Sequence, residues 1–465
     1  MVNQRFIPTL LVSALLAGGA AAQPPAPVPL DLAGAMAKAR GQAPDVAAAR
    51  DRETAAAEDA RQAKSFHYPK LRVQESWIRT DSPAEAFALL LNQERFSFAD
   101  FVTGDPNDPE TLDTAITRFE LELPIWTGGE ISKRVRQAEL AAEAAADTRG
   151  QTGDASALAA AEAWVRLAQA REYAALLARS RETVAAHVEL ARSYAGQGMV
   201  VRSELLRAEV ELARVDDLLT EARGQARVAE ANLAFRLGEP LGTAYELAAL
   251  GDPPALAEGR EAWLGSAASR RDLEAARKLL AAGELEAEAR GAGWWPRVGL
   301  VARHDLVDDQ LFGDHGDSSS IYAVASWELS LGGERSAAVA AARARADAGR
   351  RDVARFEEGV RLEVRQAFEQ AEVALERRAT ALQALDAADE AVRITEQRFR
   401  AGVVKTLDLL DAVTARRDAE TRELVARADA HLATLRLAVQ SGRAPETVLA
   451  AEPAVPTSIS EGEAE

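Results

Sequence analysis

The sequence predicts an α+β protein built as a tandem repeat, in which each half combines a long helical hairpin with a pair of strands. One motif, Trp126-Thr127-Gly128-Gly129-Glu130, recurs 204 positions later as Ser330-Leu331-Gly332-Gly333-Glu334. A second motif, Ala195-Gly196, recurs as Ala401-Gly402. The chain between the two motifs of each half contains no proline. Each half can therefore form one uninterrupted helix of roughly 100 Å, at about 1.5 Å per residue.

The first half begins with a predicted helix from Leu30 to about His67, with a break near its start at Gly41 to Pro44, and Pro69 ends it. Segments 70–79 and 115–123 follow as predicted strands. Apolar and charged residues alternate along the second of these strands: Phe119, Leu121 and Leu123 against Arg118, Glu120 and Glu122. A period of two indicates a strand with one apolar face.

The second half repeats this order. A helix is predicted over 262–290, a strand begins near Val298, and the fourth strand is predicted over 321–331. Apolar residues on the following long helix recur about every 3.5 positions, which is typical of helices packed along a seam. A shorter helix follows each tip, at about 200–237 and 404–440, and ends at Gly238 and Gly442, respectively.

The N-terminus has the features of a secretion signal: Arg5, an apolar stretch, and Ala20-Ala21-Ala22 as a cleavage site. We therefore expect a signal peptide at 1–22, a first repeat at 23–250, a second at 251–442, and a disordered acidic tail at 443–465. No later run reaches the ~20 apolar residues that a transmembrane helix needs. The chain is expected to be exported without a helical anchor.

Composition excludes several classes of function. The net charge is -18 and the sequence pI about 5.0, so nucleic acid is not expected as a partner. The absence of cysteine removes disulfides and thiolate sites. The sequence contains no phosphate-binding glycine loop, no His-Glu-x-x-His and no nucleophile motif. We predict neither an enzyme nor a cofactor.

Four short strands cannot close a useful barrel, and an open sheet exposes its edges. Assembly of several copies would solve this problem. Five of the seven tryptophans lie near predicted strand ends: Trp77, Trp126, Trp294, Trp295 and Trp327. Alternating strands with an aromatic girdle fit a membrane barrel whose apolar side faces lipid. A small soluble sheet that caps the helices explains the alternation equally well.

Two longer motifs carry a resemblance to a known family: Glu122-Leu123-Pro124-Ile125-Trp126-Thr127-Gly128-Gly129 before the first long helix, and Arg398 to Ala412 at the second tip. With the signal peptide and the repeat, they make the chain resemble the outer-membrane efflux proteins, the TolC-like exit ducts. The resemblance covers the sequence from about Leu30 to Gly442.

The resemblance implies a homotrimer in which twelve transmembrane strands form one barrel and the helical hairpins form a periplasmic α-barrel. The protein would lie in the outer membrane of a Gram-negative bacterium, with most of its mass in the periplasm. It would contact outer-membrane lipid, a periplasmic adaptor (membrane fusion protein) and an inner-membrane pump. Solutes or polypeptides would leave through it. A soluble periplasmic coiled-coil scaffold is the alternative.

The resemblance also assigns a periplasmic gate to Asp408 and Asp411, whose carboxylates would ring the pore, with Glu204 as the first-repeat counterpart of Asp408. An ordinary structural role competes with this assignment, because acids suit a first helical turn and Thr406 can cap it. Family members tie the acid at the Glu204 position to an Arg and a Tyr. Here those positions hold Val404 and Phe399, so that latch cannot form.

The two tips are where family members meet the adaptor. The expected docking residues are Gly198, Met199, Val200, Gly402, Val403 and Val404, and the expected strand-to-helix turns are Gly128, Gly129, Gly332 and Gly333. Acids and histidines crowd the second strand-to-strand loop, from His304 to Asp317, but their spacing matches no metal motif, and we predict no metal site. The first such loop, 81–114, is expected to fold back over the barrel mouth.

Overall fold

The computed structural model describes residues 27–99, 102, 105, 107–197, 201–401 and 403–449. The predicted signal peptide, most of the acidic tail, and tip residues Gly198, Met199, Val200 and Gly402 lie outside the described residues. Within the described part, each half has its helices and two strands in the order that the sequence predicts. The four strands together form one sheet.

The described part of the chain contains two sheets. Their strands are β1 (Val28–Leu30), β2 (Lys70–Thr80), β3 (Leu112–Trp126), β4 (Tyr245–Leu247), β5 (Arg297–Asp308) and β6 (Gly316–Ser326). The main sheet is antiparallel with the order β2-β3-β5-β6. Strands β3 and β5 join the two repeats, and β2 and β6 form the edges. Strands β1 and β4 form a small parallel pair that the sequence did not predict.

The helices fall into two equivalent sets. The first repeat contributes α1 (Leu32–Gln42), α2 (Pro44–Ser65), α3 (Pro83–Asn92), α4 (Glu130–Gly196) and α5 (Arg202–Leu237). The second contributes α6 (Arg260–Ser266), α7 (Arg271–Gly291), α8 (Glu334–Arg400) and α9 (Thr406–Gln440), followed by α10 (Glu446–Leu449). Helices α4 and α8 have 67 residues each, about 100 Å.

The helices pack side by side in one layer. In the half next to the sheet, α2, α4, α7 and α8 are neighbours in that order, and in the half next to the tips the order is α5, α4, α9 and α8. Helices α4 and α8 run through both halves, while the shorter helices meet end to end. Four helices therefore lie side by side in the half next to the sheet, and four in the half next to the tips.

The two repeats have matching cores. Trp164 fills the first, where its indole Nε1–H donates to the Leu30 carbonyl oxygen at 3.0 Å. Phe368, 204 positions later, fills the second, and the buried pair Leu233 and Leu437 has the same offset. The shared packing is the structural counterpart of the repeated sequence motifs.

Two predicted boundaries were wrong. The fourth strand runs from Gly316 to Ser326 rather than over 321–331, because its polar first residues pair with β5 although they lack strand-forming side chains. The helix predicted over 262–290 is two helices with a 3-10 turn between them. At that turn the buried Arg270 guanidinium binds Asp272, Glu363 and the Gln440 carbonyl oxygen, and these contacts fix the break.

The last described segment packs against the body of the protein. Arg443 binds both carboxylate oxygens of Glu258, at 3.0 and 2.8 Å, and stacks on the Trp263 ring. Val448 of α10 is buried in the second core. The chain from 443 to 449, at the start of the predicted tail, is thus ordered against α6 and α8.

Candidate functional site

The main sheet has one charged face. Directly opposite residues bind each other there: Arg118 forms two hydrogen bonds with Asp305, at 2.8 and 2.9 Å, and Arg303 binds Glu120 at 2.9 Å. Arg72 of the edge strand also reaches Glu120. The charges are paired across strands, so the face is both polar and close to neutral.

The opposite face of the sheet is apolar in the half nearest the helices. Leu71 and Ile321 are 65% and 75% exposed although they are large aliphatic residues, and Leu121 lies between them in the same register row. Near the loops this face becomes polar, where Glu75 accepts hydrogen bonds from Thr117 and from the Phe312 amide. The charged face of the sheet is suited to water, whereas the exposed apolar face is suited to an apolar environment.

The five tryptophans near strand ends are all exposed. Trp126, Trp294, Trp295 and Trp327 cluster at the end next to the helices, and Trp77 lies toward the other end of β2. Trp126 and Trp295 are in edge-to-face contact, with ring centroids 6.2 Å apart. The two remaining tryptophans, Trp164 and Trp263, are buried in the cores. This division is typical of aromatic residues placed at a membrane–water boundary.

The glycines of the two strand-to-helix turns differ in backbone angle and in surroundings. Gly129 and Gly333 precede α4 and α8 with φ of 82° and 74°, in the left-handed region that favours glycine. Gly128 also has a positive φ, of 66°, and a Cβ there would lie 2.7 Å from the Ala292 carbonyl oxygen. Its counterpart Gly332 has open space around it. The two turns are therefore less alike in structure than their repeated sequence predicts.

This difference predicts the outcome of a matched pair of substitutions. Gly128→Ala is expected to destabilise the protein by about 2 kcal/mol or more, because it combines a left-handed backbone with a clash against the backbone of the second repeat. Gly332→Ala is the control and should cost less than about 0.5 kcal/mol. Thermal unfolding of the two purified variants measures the difference. Equal destabilisation would contradict this account of the turn.

Asp408 and Asp411 both lie exposed on one side of α9, near its start. Leu409 and Leu410 between them are buried, and Leu410 packs against α4 and α5. The Asp408 carboxylate accepts a hydrogen bond from the Lys405 amide at 3.0 Å. Lys405 is the N-cap residue and Thr406 is the first residue of the helix, so Thr406 does not occupy the cap position that the competing structural role gave it. Asp408 thus stabilises its helix while its charge stays exposed.

Glu204 is half-exposed and forms no salt bridge among the described residues. A buried ion pair further along the same helices joins the repeats instead: Arg417 of α9, 7% exposed in its side chain, binds Glu211 of α5 at 2.9 Å. The sequence did not predict this pair. Its only sequence cue is that the two residues occupy nearly equivalent positions after the two tips.

Further ion pairs follow the seam between α4 and α9. They are Arg179–Glu420 at 2.8 Å, Arg166–Asp429 at 3.0 Å and Arg436–Glu162 at 2.7 Å, together with Arg427–Glu172. Most of these side chains are partly exposed, so each pair contributes little to stability. All four pairs join the first repeat to the second along this seam.

Exposed apolar residues remain at the described part of the tips. Val201 and Val403 are 62% and 67% exposed, and Val404 is half-buried. The remaining predicted docking residues lie outside the described residues. The described tip surface is therefore apolar next to the charged groups of Asp408 and Lys405.

Three acids between His304 and Asp317 are bound by arginines. Arg95 reaches Asp308 at 2.9 Å and also binds Asp309, and this contact lowers the pKa of Asp309 to about 2. Asp305 is held by Arg118. Within the described ranges no group of three His, Asp or Glu residues is arranged to hold a metal ion.

Of two histidines on the helices, His431 is buried and His187 is partly buried. Burial lowers the pKa of both His187 and His431, so both are neutral at pH 7. His431 Nε2–H donates to the Gly251 carbonyl oxygen at 2.9 Å, in the chain between the repeats. Burial also raises the pKa of Asp154, which Arg40 and Arg271 flank. These groups connect helices within the body of the protein.

None of the described helices is both long enough and apolar enough to cross a membrane. The family model for outer membrane efflux proteins matches residues 35–239 and 265–443, which include both strand-to-helix turns and both tips. The chain belongs to the outer membrane efflux protein family. It is therefore an outer-membrane exit duct, and its family is one of channels rather than enzymes.

Solved structures of efflux channels share the fold of this family member. VceC from Vibrio cholerae superposes with a TM-score of 0.73 at 19% identity, over 89% of this chain and 96% of that one. CusC gives 0.75 at 13% identity, over 89% and 92%. The open state of MtrE from Neisseria gonorrhoeae gives 0.69 at 17%, over 88% and 89%. A comparison with curated proteins gives no significant match.

Proposed function

We propose that three copies of this efflux protein assemble into one duct across the outer membrane. Strands β2 and β6 each have one unpaired edge in the sheet, and pairing β6 of one copy with β2 of the next would close a barrel of twelve strands. The apolar face, with Leu71 and Ile321, would face lipid, and the face with Arg118 and Asp305 would line the lumen.

The helical layer supports the same assembly. Helix α5 borders the layer on one side and carries the exposed apolar residues Val210 and Val228, and α8 borders it on the other side with exposed Leu362 and Val373. Contact between these two borders in neighbouring copies would bury both sets. Four helices from each copy would then form a tunnel of twelve, continuous with the barrel.

We assign the narrow end of this tunnel to Asp408 and Asp411. Both carboxylates are exposed on the side of α9 opposite its buried leucines, and three copies would bring six of them around one pore. Such a ring would attract cations and repel anions. The hydrogen bond from the Lys405 amide to Asp408 is compatible with this role, because it uses one carboxylate oxygen and leaves the charge in place.

The tips are the proposed docking surface for a periplasmic adaptor, through which an inner-membrane pump would deliver its cargo. Exposed Val201 and Val403 support this assignment, because turns that are fully solvated seldom display aliphatic residues side by side. The duct itself would be passive, with energy supplied by the pump.

Val403→Asp is expected to weaken export in cells at least roughly tenfold while leaving the assembled duct intact, because a carboxylate would be buried without a partner at the docking surface. Val403→Ile keeps the apolar character and serves as the control. Cellular resistance to an exported compound reports coupling, and native gel migration reports assembly. Normal export by the Asp variant would exclude Val403 from the docking surface.

The observation that carries the whole proposal is the two-sided sheet, charged on one face and exposed and apolar on the other. Cell fractionation tests it against the soluble-scaffold alternative. The duct should sediment with outer membranes, require detergent for extraction, and migrate anomalously on gels until heated. Release of the protein by osmotic shock alone would support the scaffold.

A further inference from the structure

Helix α3, between the first two strands of the main sheet, packs on the charged face of that sheet. Gln93, the residue after the helix, is fully buried, and its Nε2 donates to Thr114 Oγ1 at 2.7 Å and to the Asp113 carbonyl oxygen at 3.1 Å. Thr114 is an even number of residues from Arg118 along β3, so both side chains lie on the same face. The C-terminal end of α3 is thus anchored to the inner side of the proposed barrel.

A second contact places the helix backbone on this face. Gly316, at the start of β6, shares the face of Ser318, which lies opposite Asp305. A Cβ at Gly316 would lie 2.1 Å from the Asn92 carbonyl oxygen, so only glycine allows α3 to approach the strand so closely. Arg95 then ties the following segment to Asp308 and Asp309 of the other hairpin.

The side of α3 that points away from the sheet is apolar and largely exposed. Ala86 and Leu89 are buried, whereas Phe87 and Leu91, one turn apart, are 41% and 45% exposed. Ala84 and Ala88 lie on the same exposed side. The Phe87 ring lies there too and makes an edge-to-face contact with Phe96 of the following segment. We call this side, formed by Ala84, Phe87, Ala88 and Leu91, the inner face of α3.

We infer that the inner face of α3 packs against the same face of the other two copies and closes the outer mouth of the duct with an apolar plug. This inference rests on the trimeric barrel proposed above. Twelve strands about 4.8 Å apart and tilted by about 40° enclose a backbone cylinder roughly 24 Å across. A helix with its side chains is about 10 Å thick. Three helices lying on the inner wall therefore meet near the axis.

The chemistry of the inner face favours other copies of α3 over the alternatives. Lipid cannot reach it, because the charged face of the sheet lies toward the lumen and the apolar face toward the bilayer. In a wet lumen, the exposed parts of the Phe87 and Leu91 side chains would remain in water at a cost of about 25 cal/mol per Å² of apolar area. Mutual packing of three identical faces removes that area from water.

Cysteine crosslinking tests the inference cleanly, because the chain has no cysteine of its own. Leu91→Cys and, as a second variant, Ala88→Cys would be oxidised with copper phenanthroline in isolated outer membranes. Both should give dimers on denaturing gels that reducing agent removes. Leu89→Cys, whose position is buried within its own copy, is the matched control and should remain monomeric on the same gels. An absence of dimers in both the Ala88→Cys and the Leu91→Cys variants would overturn the inference.

Conductance provides the second readout and separates this inference from the proposed function. Leu91→Asp should raise single-channel conductance in planar bilayers by roughly twofold or more, because three carboxylates repel one another and hydrate the plug. If wild-type trimers conduct but Leu91→Asp has no effect and no crosslinks form, the plug is wrong and the duct stands. If the wild-type protein forms neither trimers nor channels, both proposals fail.

Discussion

Removing both tip aspartates, with Asp408→Ala and Asp411→Ala in one chain, is expected to lower the cation preference of the duct roughly threefold or more. Six carboxylates would disappear from one narrow ring, and with them the negative potential that concentrates cations and excludes anions. Conductance should rise as well, since alanine is smaller. Reversal potentials in planar bilayers under a salt gradient measure the preference directly.

A matched variant separates the charge of these residues from their part in helix capping. Asp408→Asn with Asp411→Asn keeps the side-chain oxygen that accepts the Lys405 amide but removes both charges. It should lose as much cation preference as the double alanine variant. If the asparagine variant behaves like wild type while the alanine variant does not, the aspartates act through the helix terminus and the pore ring is wrong.

Replacement of Arg417 by alanine is expected to loosen the tip by about 3 kcal/mol, because Glu211 would keep only the exposed Arg214, at 3.8 Å, as a basic partner. Local opening should become about a hundredfold more frequent. Hydrogen exchange of the amides in the first turns of α5 and α9 measures this change. The duct should also conduct more in its resting state.

The neighbouring arginine supplies the control. Arg416 binds Asp389 of α8, but both side chains are about half exposed, so Arg416→Ala should change local stability by no more than about 1 kcal/mol. The double variant Arg417→Met with Glu211→Leu should recover most of the lost protection, since it removes both buried charges together. Similar exchange in the Arg416 and Arg417 variants would show that the buried pair does not join the repeats.

Much of the fold could be predicted because its sequence patterns are local and repeated. Proline-free stretches bounded by Gly129 and Gly196 or by Gly333 and Ala401 define α4 and α8 to within a residue or two. Alternation along β3 correctly separated Phe119 and Leu121 from Arg118 and Glu120. The same periodicities distinguish helix from strand in any chain.

The features that the sequence did not predict depend on tertiary contacts. Polar residues at the start of β6 join the strand because β5 offers its hydrogen bonds, and no local propensity indicates this. The break before α7 exists because Arg270 finds partners both beside it and in distant segments. The pairing of β1 with β4 joins residues more than two hundred positions apart.

In the candidate site, too, some features follow from local sequence and others depend on tertiary contacts. The positions of Asp408 and Asp411 on one side of α9 follow from helical spacing, so their shared exposure was predictable. The ion pair between Arg417 and Glu211 was not, because it requires knowing that α5 and α9 lie together below the tips. The inward position of α3 likewise depends on Gly316, a glycine that no turn pattern distinguishes.

Native mass spectrometry of the detergent-solubilised protein, with the predicted signal peptide removed, counts the chains in the duct. One copy supplies four strands with two open edges and a sheet with one exposed apolar face, so the duct can exist only as an assembly. We expect a complex of three chains that aggregates when detergent is withdrawn and dissociates when the sample is boiled. A monomer that stays in solution without detergent would contradict it.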